Sequence, residues 1–179
     1  MQRVKVILNP YSNRGGAGQA SIRVSQALAS AGVEYDLVET AERGHAIELA
    51  SEAYHAGYTT LVAAGGDGTV SEVLNGIAQV ADPMETVGTL GLIPIGTGND
   101  FADMLGYPRN LDRAAQLIAR GRTRKIDLGK AVMRGDSDVV ERYFDNNMGV
   151  GFEAQVTLES YKINRLEGST RYVAAALRA

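Results

Sequence analysis

The chain has 179 residues, 45% hydrophobic and 22% charged, with a formal charge of −3 from 18 basic and 21 acidic side chains. That size suits one long domain, or one domain and part of another, and the balance argues against disorder and against nucleic-acid binding through net charge. There are no cysteines and only two histidines, His45 and His55. This excludes disulfides, thiolate metal sites and cysteine nucleophiles, and makes any histidine metal site depend on carboxylates.

Apolar runs are as short as Val6-Ile7-Leu8, far below the ~20 residues of a membrane span. The start lacks the apolar stretch and cleavage site of a secretory signal, so a cytoplasmic chain without a leader is the expectation. Glycine is in excess, 21 residues, where average usage predicts about 12–13.

Val4–Leu8 is a β-branched run closed by Asn9-Pro10, which predicts a strand and a turn. Val24, Ala27, Leu28 and Ala31 share one helical face and predict a helix over about 18–31. Val33 to Val38 follows as a second strand, and a helix over about 44–56 carries Ala46, Leu49, Ala50 and Ala53 on one face. Thr59 to Ala63 is a third strand, ending in Gly65-Gly66-Asp67-Gly68-Thr69. Val70, Val73, Leu74, Ile77 and Ala78 form the strongest helical stripe. Leu90 to Pro94 is a fourth strand, ending in Gly96-Thr97-Gly98-Asn99-Asp100, and Leu111, Ala114, Ala115 and Ile118 mark another helix.

Such alternation predicts an α/β domain over residues 1–122, a parallel sheet with helices on both faces. From residue 123 the pattern changes. Arg124 to Val132 and Arg142 to Asn147 predict antiparallel strands joined by Gly135-Asp136-Ser137-Asp138, and the tail from Glu153 is mostly helical. Residues 123–179 are expected to begin a second, β-rich domain that is cut short.

Ligands of parallel α/β sheets bind beyond the carboxyl ends of the strands, where all three glycine-rich stretches fall. In residues 65–69 glycine permits positive φ and close backbone approach, and the helix N-terminus favours an anion. Asp67 would repel a phosphate unless a hard cation such as Mg²⁺ offsets it; the alternative is an ordinary turn with Asp67 capping the helix. In the second loop Thr97 and Asn99 could donate to phosphate oxygens and Asp100 could serve as a second acid, or Asn99 and Asp100 simply cap a short helix over 101–105.

Asn9 and Ser12 could contact a nucleotide. Gly16-Ala17-Gly18 begins like a dinucleotide fingerprint, but Ser21 stands where its third glycine belongs, and no P-loop sequence is present. Glu72 could face the site or complement the helix dipole. His45 and His55 read as surface or capping residues. Asp127, within an apolar strand, would need an ion pair or a metal. Arg122, Arg124 and Lys125 are a solvated cluster or a counter-charge for phosphates.

The ordered residues Asn9-Pro10 with Ser12, then Gly65-Gly66-Asp67-Gly68-Thr69-Val70-Ser71-Glu72-Val73, then Ile93-Pro94-Ile95-Gly96-Thr97-Gly98-Asn99-Asp100-Phe101-Ala102 resemble the catalytic domain of diacylglycerol kinases and sphingosine kinases. The soluble bacterial diacylglycerol kinases and related lipid kinases are the nearest in pattern. The match continues through Gly121 and Ile126-Asp127-Leu128 to Asn147, Gly149 and Gly151-Phe152.

The resemblance implies transfer of phosphate from ATP, with Mg²⁺, to the hydroxyl of a diacylglycerol-like lipid. It implies that Asn9, Pro10, Ser12, Gly65, Gly66, Asp67, Gly68, Thr69, Glu72, Gly96, Thr97, Gly98 and Asn99 line the nucleotide cleft, and that Asp67, Asp100 and Asp127 belong to the metal and its water network. Asp67 is the catalytic candidate, with the general base expected beyond residue 179. Glu153 stands where many relatives carry aspartate.

A lipid substrate implies transient contact at the inner face of a membrane, for which Lys162, Arg165, Arg171 and Arg178 are candidates against a plain solvated helix. Homodimerisation stays open. The rival enzyme is a NAD kinase, which shares the first loop and carries a different Asn-Glu pair in place of the second. A non-catalytic nucleotide-binding module is the rival from another class, and a Rossmann dehydrogenase is a third.

Overall fold

A computed structural model of the chain describes residues 3–12, 17–82, 86–135, 138–163 and 168–179. Strands β1 (Val4–Leu8), β2 (Tyr35–Glu39), β3 (Thr60–Gly65) and β4 (Thr89–Pro94) form a parallel sheet in the order β2-β1-β3-β4. The central strands are covered on both faces, which is why they are nearly continuous apolar runs.

Side chains alternate between the two faces with the strand period of two. Val6 and Leu8 of β1, Val62 and Ala64 of β3, and Ile93 of β4 pack with Val24 and Leu28 of α1 (Ala17–Ser30) and Ala115 of α5 (Leu111–Arg120). Ile7, Leu61, Ala63 and Leu92 point the other way, onto Ala46 and Ala50 of α2 (His45–His55) and Val73 and Ile77 of α3 (Asp67–Ala78). The α/β fold with helices on both faces is therefore the one the periodicity predicts. Because α1 and α2 lie on opposite faces, β1 and β3 flank the point where the winding reverses, and the loops after β1, β3 and β4 share one end of the sheet.

Strands β5 (Gly129–Arg134) and β6 (Val139–Phe144) pair antiparallel, from Gly129↔Phe144 to Arg134↔Val139. This corrects two expectations. The first hairpin strand begins at Gly129 rather than Arg124, and the second ends at Phe144 rather than Asn147. A strand exists only where a ladder pairs it, and no partner strand lies beside residues 122–128 among the described residues. Asp127 is consequently exposed on irregular backbone, not enclosed in an apolar strand. Residues 136–137 of the connecting turn lie outside the described residues.

The hairpin is tied to α3 through Asn75, whose side chain bonds both backbone groups of Tyr143. The chain divides into two compact units, Met1–Asp145 and Asn146–Ala179, and the hairpin belongs to the first. The second unit contains α6 (Phe152–Lys162) and α7 (Gly168–Ala176), packed on each other, in keeping with the helical tail expected from Glu153 onward.

Candidate functional site

Three loops meet at the carboxyl end of the sheet. The first intrahelical bond of α3 runs from the Val70 N–H to the Gly66 carbonyl. The N–H groups of residues 67–69 therefore have no acceptor within the helix. Gly68 is exposed, and a Cβ built on it would meet no atom within 4 Å. This is open space directly over the first turn of α3.

The other glycines answer to packing between the loops. A Cβ on Gly96 would lie 2.3 Å from the Gly66 Cα and 2.7 Å from its nitrogen, and one on Gly66 would lie 3.1 Å from the Gly98 carbonyl oxygen. A Cβ on Gly98 would come within 3.0 Å of Asp67 Oδ2. None of Gly65, Gly66, Gly68, Gly96 or Gly98 has positive φ. Positive φ is thus not what these glycines supply; Gly65, Gly66, Gly96 and Gly98 supply the close approach that was also expected, and Gly68 faces open space.

Asp67 does not cap its own helix. Its Oδ1 accepts the N–H of Phe101 at 3.1 Å, at the start of α4 (Asp100–Met104), so the first loop's carboxylate caps the helix that follows the second loop. Asn99 is buried and bonds within its own loop: Oδ1 accepts the Gly96 N–H at 3.2 Å, and Nδ2 donates to the Gly96 carbonyl at 2.9 Å. Thr97 and Asp100 are exposed beside it. The cavity beneath the two loops is only about 10 Å³, room for about one water. A ligand larger than a water would therefore have to lie across the outer surface of the loops.

Asn9 joins the third loop to the first. Its Nδ2 donates to Thr69 Oγ1 at 3.3 Å, while its Oδ1 accepts the Tyr11 N–H at 3.0 Å. Thr69 is buried, and its hydroxyl faces Asn9 and the space under Gly65. Pro10 is buried and Ser12 half-buried; the glycine run at 13–16 lies outside the described residues. Glu72 is half-buried on α3.

The site is acidic. Arg109, fixed in its charged state first by its bond to Asp103, also feels the fields of Asp100 and Asp67. Among the described residues no group of three or more histidine, aspartate or glutamate side chains is gathered around one point. A cation here would depend on one or two carboxylates and on substrate oxygens, which is how Mg²⁺ is usually held beside phosphates.

Asp127 is not brought into this group. His45 accepts the Ala41 N–H through Nδ1 at 2.9 Å, and His55 bonds the Ser51 carbonyl. Two residues absent from the sequence reading belong to the site's surroundings. Asn75 is a buried polar residue inside the apolar stripe of α3. Asp145, half-buried at the end of β6, has its carboxyl pushed up by burial and by the negative charge of Asp67, against the pull of its own backbone amide.

A family model described as the diacylglycerol kinase catalytic domain matches residues 3–131. A diacylglycerol kinase of Bacillus subtilis (strain 168) is 36% identical over 174 residues, covering 96% of this chain and 54% of that protein. One from Staphylococcus aureus (strain MRSA252) is 34% identical over 172 residues, covering 96% of this chain and 51% of its own length. A crystal structure of a diacylglycerol kinase from Bacillus anthracis str. Sterne superposes with a TM-score of 0.62 at 32% identity, over 73% of this chain and 47% of that one. The chain spans about half the length of the curated relatives it matches.

Proposed function

The chain belongs to the diacylglycerol kinase catalytic-domain family, and we propose on that footing that it is the nucleotide-side part of an ATP-dependent lipid kinase. The reaction moves the γ-phosphoryl of ATP to the hydroxyl of diacylglycerol or a related lipid. A bond forms between the lipid oxygen and the γ-phosphorus, the bond from that phosphorus to the β–γ bridging oxygen breaks, and ADP leaves. The hydroxyl proton passes to a base, which we assign to the part of the relatives that this chain does not span.

Gly68 is the observation that carries the reading. It sits in a helical first turn without positive φ and without a neighbour that needs its missing Cβ. Alanine there would favour the helix by about 0.5–1 kcal/mol. Its absence keeps the free amides of residues 67–69 open to an anion, with the helix dipole behind them.

In this reading the backbone of Gly66, Gly68 and Thr69 holds the phosphates and Thr97 steadies them. Asn9, Pro10, Ser12, Gly65, Gly96, Gly98 and Asn99 shape the walls, and Glu72 adds a carboxylate on the helix side. Mg²⁺ would be held at Asp67, with Asp100 ordering its surroundings; Asp127 enters through the family resemblance alone, as part of the outer water network. When bound, the cation offsets charge on the β- and γ-phosphates. Positioning and charge stabilisation are most of what such transfer requires of the protein.

No helix described here is long and apolar enough to cross a membrane. The lipid is met by transient surface contact, for which Lys162, Arg171 and Arg178 are candidates; Lys162 already pairs with Glu159 at 2.6 Å. Arg165 lies outside the described residues. Sedimentation with anionic liposomes tests this contact, and equal recovery with neutral liposomes counts against it. The kinase reading is tested by calorimetry with ATP and Mg²⁺ on this chain and by phosphoryl transfer to diacylglycerol in mixed micelles with the full-length protein. Saturable nucleotide binding that is lost in Gly68→Ala supports it; a chain indifferent to ATP at millimolar concentration overturns it.

A further inference from the structure

Asparagine suits a helix interior poorly, because its amide competes for backbone groups. Asn75 nevertheless sits at 2% exposure in the buried run of α3 from Val73 to Ala78. Its Oδ1 accepts the Tyr143 N–H at 2.8 Å, and its Nδ2 donates to the carbonyls of Tyr143 and Ser71, each at 2.8 Å. Two acceptors meet the nitrogen and one donor meets the oxygen, so the amide has a single orientation. Tyr143 stands opposite Lys130 in the hairpin, and both of its backbone groups turn outward to Asn75. The amide gives them what the next strand of a sheet would give, one acceptor and one donor. The grip selects one register, since a slip of one residue would present groups that already bond to β5.

The same helix carries the free amides of residues 67–69 in its first turn. About 10 Å of helix axis separates Gly68 from Asn75. Tyr143 lies near the close of the first compact unit, which ends at Asp145. The strand end from which the polypeptide leaves that unit is therefore fixed to the rod whose tip presents those amides. Phosphoryl transfer needs the acceptor oxygen in line with the phosphorus, and an error of about 1 Å introduced far from the chemistry can cost about 10²-fold.

We propose that Asn75 is a positioning residue for phosphoryl transfer: by gripping the Tyr143 backbone it sets the exit of the chain from the first unit relative to the first turn of α3, and transfer to the lipid depends on this while nucleotide binding does not. This rests on the kinase reading and adds to it a role for the hairpin.

Two variants test it. Asn75→Ala removes the grip. Asn75→Ser removes it too, while its hydroxyl can keep the bond to the Ser71 carbonyl within the helix, and it decides should Asn75→Ala fail to fold. In the full-length protein, assayed in mixed micelles well below the melting temperature, kcat for diacylglycerol is expected to fall about tenfold or more, with the KM for ATP within about twofold of wild type. In the 179-residue chain, calorimetry should show ATP and Mg²⁺ bound as in wild type. Hydrogen exchange should show the amides of residues 139–144 opened and those of residues 70–74 still protected. A merely structural role would lower stability and leave kcat per folded molecule unchanged, or would weaken ATP binding in step with kcat; either result overturns the proposal and leaves the kinase reading standing. Wild-type protection of residues 139–144 in both variants overturns it as well. A wild-type chain indifferent to ATP overturns this proposal and the kinase reading together.

Discussion

Loop 65–69 and loop 96–100 each end a strand, set glycines around a polar residue and lead into a helix. In the second loop Gly96 and Gly98 lie against Gly66 and Asp67, and Asn99 closes the turn on itself. In the first loop Gly66 is pressed onto that support, while Gly68 faces open space. Like sequences therefore divide the work: one loop is a buttress and the other presents its amides. The same residue type is required at one position because protein is there, and at another because nothing is.

Gly96→Ala is the strongest way to break this division. Its Cβ would fall on backbone atoms of Gly66 that have nowhere to go, so denaturant unfolding should show a loss of about 3 kcal/mol. Asp67→Ala comes next. It should abolish phosphoryl transfer in the full-length protein and also lower stability by about 1 kcal/mol, since it uncaps α4. In a chain of this size that is about 2–4 °C of melting temperature, and Asp67→Asn, which keeps an acceptor for Phe101, should recover most of it. A melt unmoved by Asp67→Ala would mean that the two loops do not lean on each other.

Gly68→Ala sharpens the contrast from the other side. The melting temperature should hold or rise, with a gain of up to about 1 kcal/mol, while calorimetry shows ATP binding weakened. Parallel losses of stability in Gly68→Ala and Gly96→Ala would erase the distinction.

The smallest effect concerns the helix behind the buttress. Arg109 holds the Asp103 carboxyl below its ordinary range. The stability from this pair is present above the ordinary carboxylate range and fades as pH falls through the lowered pKa of Asp103. The pair is exposed, so the effect is slight. Melting curves of Arg109→Ala and wild type should differ a little at neutral pH and converge in acid; a gap that persists in acid assigns Arg109 another role.

Most of the sheet was legible because the central strands β1 and β3 are nearly continuous apolar runs and the helices that cover them show their buried stripes. The positions of the loops followed from strand ends alone. Which surfaces the loops turn to each other did not, because it depends on pairs such as Gly66 with Gly96, thirty positions apart. Asn75 was invisible for a related reason: a polar residue inside an apolar stripe reads as a flaw in the pattern until its partner, Tyr143, is seen. Asp145 carried no signal, since its burial comes from what packs around it. Residues 124–128 have strand-like composition, yet composition does not provide a partner strand.

Phe101, whose amide Asp67 receives, is itself buried among Ile7, Leu92 and Val73 in the interior. A single link thus runs from the acidic rim to the centre of the molecule. A ligand that binds this rim only while the bond is in place would bind the folded first unit alone, and should raise its melting temperature. A plain melting curve thereby becomes a gauge of what sits on the surface.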